Sequence, residues 1–152
     1  MKIQGTYHYE IRDGGGLLKA SGASKNFLTR AGMTYILGAA MSGQAQFSTW
    51  TLRAKNAAAA ATPADTLSNR AWGDVGPAVT WLPVAGPYNI LSNGAAPATM
   101  VFSADGVIGG FYLSSGPLLL SVTELSSPQP VESGDTIHIT YPLAVNEILE
   151  DE

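Results

Sequence analysis

Ile3, Gly5, Tyr7, Tyr9 and Ile11 alternate with Gln4, Thr6, His8, Glu10 and Arg12 across the first dozen residues. Successive side chains on a strand point to opposite faces, so a period of two that sorts apolar from polar describes a strand with one face buried. The same period returns near the other end, where Ile137, Ile139 and Tyr141 interleave with Thr136, His138 and Thr140. A chain that begins and ends on half-buried strands must build a second layer to cover them.

Further elements lie between these two strands. "DGGG" at Asp13–Gly16 forms a turn, because glycine takes positive φ freely, and "LLKASGA" returns as the second arm of a hairpin. The glycines match neither phosphate-loop spacing, so a nucleotide cradle is set aside. Thr29 offers an N-cap to "RAGMTYILGAAM", where Met33, Ile36, Leu37, Ala40 and Met41 form one apolar stripe at helical spacing. Gly32 and Gly38 weaken this helix, so the stripe is expected to lie on a sheet. "FSTWTLRAK" alternates again, and "NAAAAATPADTLSNRAWGDV" reads as a long surface loop or extended arm. Beyond it "AVTWLPV", "TMVFSADGVIGGFYLSSG", "LLLSVTEL" and "TIHITYPLAV" all read as β, with a hairpin expected at Asp105-Gly106. All nine prolines lie from Pro63 onward and punctuate these strands. One short helix (about 29–41) amid roughly eight strands describes a mainly β, antiparallel β-sandwich or jelly-roll-like domain. Its bounds are read as 1–146, with an arm at 56–75 and an acidic tail at 147–152.

Catalytic patterns are sparse. His8 and His138 both fall on polar strand faces; if the first and last strands are neighbours, Glu10 could join them in a weak metal site, but no metal-ligand spacing supports it. "LSSGP" around Ser114 and Ser115 lacks the elbow of a serine nucleophile. Asp65, Asp74, Asp105, Glu124 and Asp135 each have a turn or loop explanation, and in "VESGDTIHITY" a turn simply feeds a strand. Neither a catalytic site nor a cofactor is expected. Trp50, Trp72, Trp81 and Tyr88 could instead act as stacking platforms for sugars or as anchors for a protein partner.

Only 13% of residues are charged, about half the usual share. A surface so poor in charge suits a protein that covers itself with partners. The chain has no cysteine, so disulfides and thiolate metal sites are ruled out. No secretory leader is visible, and the longest apolar run, Met33–Met41, is too short for a membrane span. All eight lysines and arginines lie between Lys2 and Arg70; the first 70 residues carry a net +5 and the remainder −9, four of those acids falling in "EILEDE". The halves either neutralise each other across one sheet or form a two-sided module. The cations are scattered, which argues against nucleic acid.

Five segments resemble small virion structural proteins of tailed bacteriophages: "KNFLTRAGMTYIL", "STWTLRA", "ADTLSNRAW", "VIGGFYLSSG" and "LLLSVTELSSPQPVESGDTIHITYPL", in that order over residues 25–143. The "DGGG" hairpin and the acidic tail have no counterpart in that pattern, and the stretch after Leu113 is shorter. The resemblance implies a non-enzymatic particle component, most simply one that decorates or cements the capsid across subunit seams. Its partner would be the major capsid protein or tail components, and it would self-associate, a trimer being one suitable form. The alternatives are a tail, neck or fibre-base protein, or a carbohydrate-binding module for the host surface. Location in the virion, after synthesis in the host cytoplasm, follows from the same resemblance. Trp72, Tyr88, Trp50, Trp81, Glu147 and Glu150 are the candidate interface residues.

Overall fold

A computed structural model gives the fold, and it describes residues 2–56, 60–68, 72–81, 84–85 and 90–146. Strand β1 (Lys2–Arg12) follows its alternation: Gly5, Tyr7, Tyr9 and Ile11 are buried, His8 and Glu10 exposed. It turns through Asp13–Gly16 into β2 (Leu18–Lys25). In that turn Asp13 Oδ1 accepts the backbone N–H groups of Gly15 and Leu17, both at 2.9 Å, and Gly16 takes φ +88°. On the other side of β1, β11 (Thr136–Thr140) and β12 (Leu143–Asn146) lie end to end, with Thr140 opposite His8 and Leu143 opposite Gly5. Beyond them β8 (Ala98–Val101) pairs with β11, β7 (Ile90–Ser92) with β12, and β6 (Val84–Ala85) with β7. β1 is therefore an interior strand of a seven-stranded antiparallel sheet.

The second sheet has five antiparallel strands in the order β3 (Phe27–Leu28), β10 (Leu118–Val131), β9 (Gly106–Ser115), β4 (Trp50–Lys55) and β5 (Asp74–Trp81). The two sheets pack face to face. Tyr7, Ile11, Ile137 and Tyr141 meet Leu52, Phe111, Leu113 and Leu120 in one core. Within it the rings of Tyr7 and Tyr141 stack at 4.2 Å, and both hydroxyls reach Ser121 Oγ, at 2.9 and 3.2 Å. Buried phenols need such partners, so a single serine serves two rings. The chain is a two-sheet β-sandwich, with one short helix, α1 (Arg30–Met41), among the described residues.

Two local expectations give way. Asp105-Gly106 is no hairpin turn: β8 pairs with β11 in one sheet while β9 pairs with β10 and β4 in the other. Phe102, fully buried, instead exchanges backbone hydrogen bonds with Asp135 and Gly134, and Asp105 Oδ1 accepts the Ser133 N–H at 2.9 Å. The crossover is thus pinned to the turn at Glu132–Asp135, a long-range contact that local turn chemistry does not encode.

The helix presents a different face from the one its apolar spacing indicates. Thr29 caps it as expected, accepting the Gly32 N–H at 2.9 Å, but Gly32, Tyr35, Ile36 and Ala39 face the core. Met33, Leu37 and Met41 remain 45, 56 and 82% exposed. Gly32 decides this, because a Cβ there would lie 2.4 Å from the Leu120 carbonyl oxygen. The helix sits so close to β10 only through its glycine.

The segment read as a surface loop or extended arm packs onto the molecule where it is described. Ala61 and Leu67 join Trp72 over Tyr112, Leu119 and Val122, a second apolar cluster on the outer face of the five-stranded sheet. Ala61 N–H donates to Glu124 Oε1 at 2.6 Å, and Pro63 O accepts the Arg30 N–H at 2.8 Å. Charges segregated along the sequence meet in the fold. Lys19 pairs with Glu132 and Asp135, Arg53 with Asp74, and Lys55 with Glu124, each joining a cation of the first half to an acid of the second.

Candidate interaction surfaces

The aromatic candidates separate by burial. Trp72 is only 8% exposed and its ring lies 5.2 Å from that of Tyr112, so neither of its faces is open to a sugar or a protein partner. Its role as an exposed contact is corrected to that of a core residue. Trp50 is half-buried against the main core, edge-on to Tyr35 at 5.9 Å and Phe47 at 6.2 Å. Tyr35 holds that cluster by accepting the Phe47 N–H at 2.7 Å. The backbone of Trp81 ends β5 opposite Trp50, while its side chain lies outside the described residues. Tyr88, Glu147 and Glu150 lie outside them as well.

The outer face of the seven-stranded sheet brings the histidines near each other. Glu10 is directly opposite His138, His8 is opposite Thr140, and His138 Nδ1 lies 3.1 Å from Thr99 Oγ1. Among the described residues no three His, Cys, Asp or Glu side chains gather as metal ligands.

The five carboxylates considered for chemistry each hold structure. Asp65 closes a turn by accepting the Thr62 N–H at 2.7 Å. Asp74 takes the Tyr112 hydroxyl at 2.6 Å and lies 2.9 Å from Arg53 Nε. Glu124 joins Lys55 at 2.9 Å, and Asp105 anchors the crossover. Asp135 is held below the usual carboxylate range, first by its hydrogen bond from Lys19 Nζ at 2.6 Å, aided by the Glu132 N–H. These groups staple loops to strands, and they do not converge on a common cleft.

Burial raises the hydroxyls of Tyr7, Tyr112 and Tyr141 above the ordinary tyrosine value; the neighbouring Tyr141 adds to it for Tyr7 and Asp74 for Tyr112. Below the unfolded value near 10 both states are protonated and stability is untouched. Above it the unfolded chain ionises while the folded one resists, so stability must fall as pH rises. The urea midpoint is therefore expected to hold up to about pH 10 and then drop steeply. Titration of every tyrosine near pH 10 in the native protein, followed by tyrosinate absorbance with the midpoint unchanged, would refute this.

The surface that sequence reasoning misassigned is the crest of α1. Met33, Leu37 and Met41 were legible as an apolar stripe; Gly32, one residue before it, was the signal that a different face approaches the sheet. No helix among the described residues is long and apolar enough to cross a membrane. The chain matches no protein-family model, no curated protein and no solved structure, which leaves its own residues to argue its function.

Proposed function

We propose that the protein is a non-enzymatic structural component of a tailed-bacteriophage virion, decorating or cementing the capsid by binding the major capsid protein across subunit seams. One observation carries this reading. The five segments of the resemblance form a continuous part of the molecule: β3 with α1, then β4, the cover bearing Trp72, β9, and β10 running into β11. The segments thus supply four of the five strands of one sheet and what packs on it, and continue into β11 of the other sheet. The surface chemistry agrees with this reading. A rigid sandwich with few charges can lie over a seam at small desolvation cost, burying roughly 800 Å² per partner. Many copies on one shell then add weak contacts by avidity.

Co-sedimentation with capsids that lack the protein tests this. Binding should saturate at a fixed multiple of the capsid's symmetry and raise the shell's resistance to heat. A few copies per virion, with no binding to intact shells, would move the protein to the tail, neck or fibre base. Absence from purified particles would overturn the virion reading altogether.

A further inference from the structure

The sandwich is open along one side. β2 pairs only with β1, and β10 leaves its ladder with β9 between Glu124 and Gln129, so the two strands face each other across a cleft of about 470 Å³. Residues Ser21 to Lys25 form one wall, and Glu124 to Ser127 with Gln129 form the other. Ser24 Oγ donates to the Glu124 carbonyl at 2.7 Å and Thr123 Oγ1 to the Lys25 carbonyl at 2.9 Å, which ties the walls together at one end. Tyr9 reaches the cleft from the core side.

The Tyr9 hydroxyl sets this cleft apart. Tyr9 is only 7% exposed, yet its hydroxyl has no hydrogen-bond partner among the described residues. The hydroxyls of Tyr7, Tyr35, Tyr112 and Tyr141 each have one. Gly22, directly opposite on β2, keeps the Tyr9 hydroxyl uncovered, because a Cβ there would lie 2.9 Å from the phenol oxygen. Burial raises this hydroxyl above the ordinary tyrosine value, so it stays a donor at neutral pH. Buried phenols normally find a partner, and here only something in the cleft can be one.

The rest of the lining describes the ligand. The hydroxyls of Ser21, Ser126 and Ser127 make no hydrogen bond among the described residues, and Gln129 spends one amide N–H on the Ser127 carbonyl at 2.9 Å. The cleft lies within the range of about 300–1,000 Å³ usual for small-molecule sites, but its walls are hydroxyl, amide and main chain. An apolar guest would strip water from those groups and return nothing, whereas a polyol answers them. Charge narrows the class. Lys25 is the one cation of the lining and has no acidic partner among the described residues. Glu124, the one acid, is turned away, with its carboxylate on Lys55 at 2.9 Å and on the Ala61 N–H at 2.6 Å. We propose that this cleft binds a saccharide bearing a carboxylate, with the carboxylate at Lys25 and the ring hydroxyls on Tyr9, Gln129 and the serines. An inorganic anion would use Lys25 and leave Tyr9 open; a neutral sugar would do the reverse. The site rests on the cleft alone and survives if the virion reading fails.

Glucuronic acid is the probe, and glucose, which lacks the carboxylate, is its control. In a titration of the full chain followed by amide chemical shifts, glucuronate should move Gly22, Lys25 and Ser127 with a Kd of about 1–10 mM, and glucose should bind about fivefold more weakly. Tyr9→Phe should weaken glucuronate about fivefold and leave the thermal melt unchanged, since the hydroxyl bonds nothing within the fold. Lys25→Gln should bring glucuronate and glucose to the same affinity. No response to either sugar at up to about 50 mM overturns the site. Equal binding of the two sugars by the wild type, or of glucuronate by the wild type and Tyr9→Phe, overturns the assignment of its ligand.

Discussion

Trp72→Ala is expected to destabilise the fold by about 3–5 kcal/mol, the usual cost of truncating a buried tryptophan. For a domain of this size that lowers Tm by roughly 6–20 °C. The indole closes the second apolar cluster over Tyr112, Leu119 and Val122, and the cover with Ala61 and Leu67 packs around it. Without it the outer face of the five-stranded sheet opens to water, and the Tyr112–Asp74–Arg53 arrangement at the sheet's edge loses its shield. A second readout separates this from a contact role. If Trp72 were an anchor for a partner, the substitution would leave Tm alone and abolish particle association. The expected result is the reverse: a lowered melt, with binding per folded molecule retained below it. Trp72→Phe, which keeps a ring in the cavity, should recover part of the loss.

The case of Trp72 marks where the sequence was legible and where it was not. Half-buried strands announce themselves locally, because the pleat forces alternation; the inward faces of β1 and β11 were readable, down to Tyr7, Ile137 and Ile139, while "TIHITYPLAV", read as one strand, breaks at Tyr141 and Pro142 into β11 and β12. The Asp13–Gly16 turn and the Thr29 cap were readable for the same reason, each being satisfied within a few residues of itself. What escaped was non-local. A tryptophan after a run of small residues looks the same whether it waits for a partner or folds back onto its own sheet, and Glu124, which holds the cover through Ala61 N–H, lies 63 residues away. The Asp105-Gly106 pair carries a strong hairpin signal, yet the buried Phe102 commits the chain to the turn at Glu132–Asp135 and so to a change of sheet. The segregated charges behaved similarly: a lopsided sequence became a set of long-range ion pairs once Lys19 of β2 met the Glu132–Asp135 turn, Arg53 met Asp74 of β5, and Lys55 met Glu124 of β10.

The two helix glycines should respond to alanine with opposite signs. Helix propensity alone favours both changes by about 1 kcal/mol. At Gly38 nothing rigid opposes it: a new Cβ meets the end of the Gln44 side chain, which can swing aside, and the backbone there is ordinary helix. Gly38→Ala is therefore expected to stabilise by about 0.5–1 kcal/mol. At Gly32 the new Cβ would sit 2.4 Å from the Leu120 carbonyl oxygen and 3.0 Å from two more backbone atoms of that residue. Leu120 lies at an irregularity of the β9–β10 ladder, but its carbonyl is held on the helix side by the Thr29 N–H at 3.0 Å, so relief comes from the helix lifting. Lifting it strips Tyr35 and Ile36 from the core and pulls Thr29 away from the β10 carbonyls that it caps and joins. Overpacking of this kind costs about 1–3 kcal/mol, and the lost contacts push Gly32→Ala to the upper end of that range or beyond. Chemical denaturation of both variants beside the wild type checks the pair. Equal stabilisation by the two substitutions would show that α1 is not held against β10 by its glycine. The exposed crest of Met33, Leu37 and Met41 would then lose its explanation too, because the close approach at Gly32 is what turns those three side chains outward.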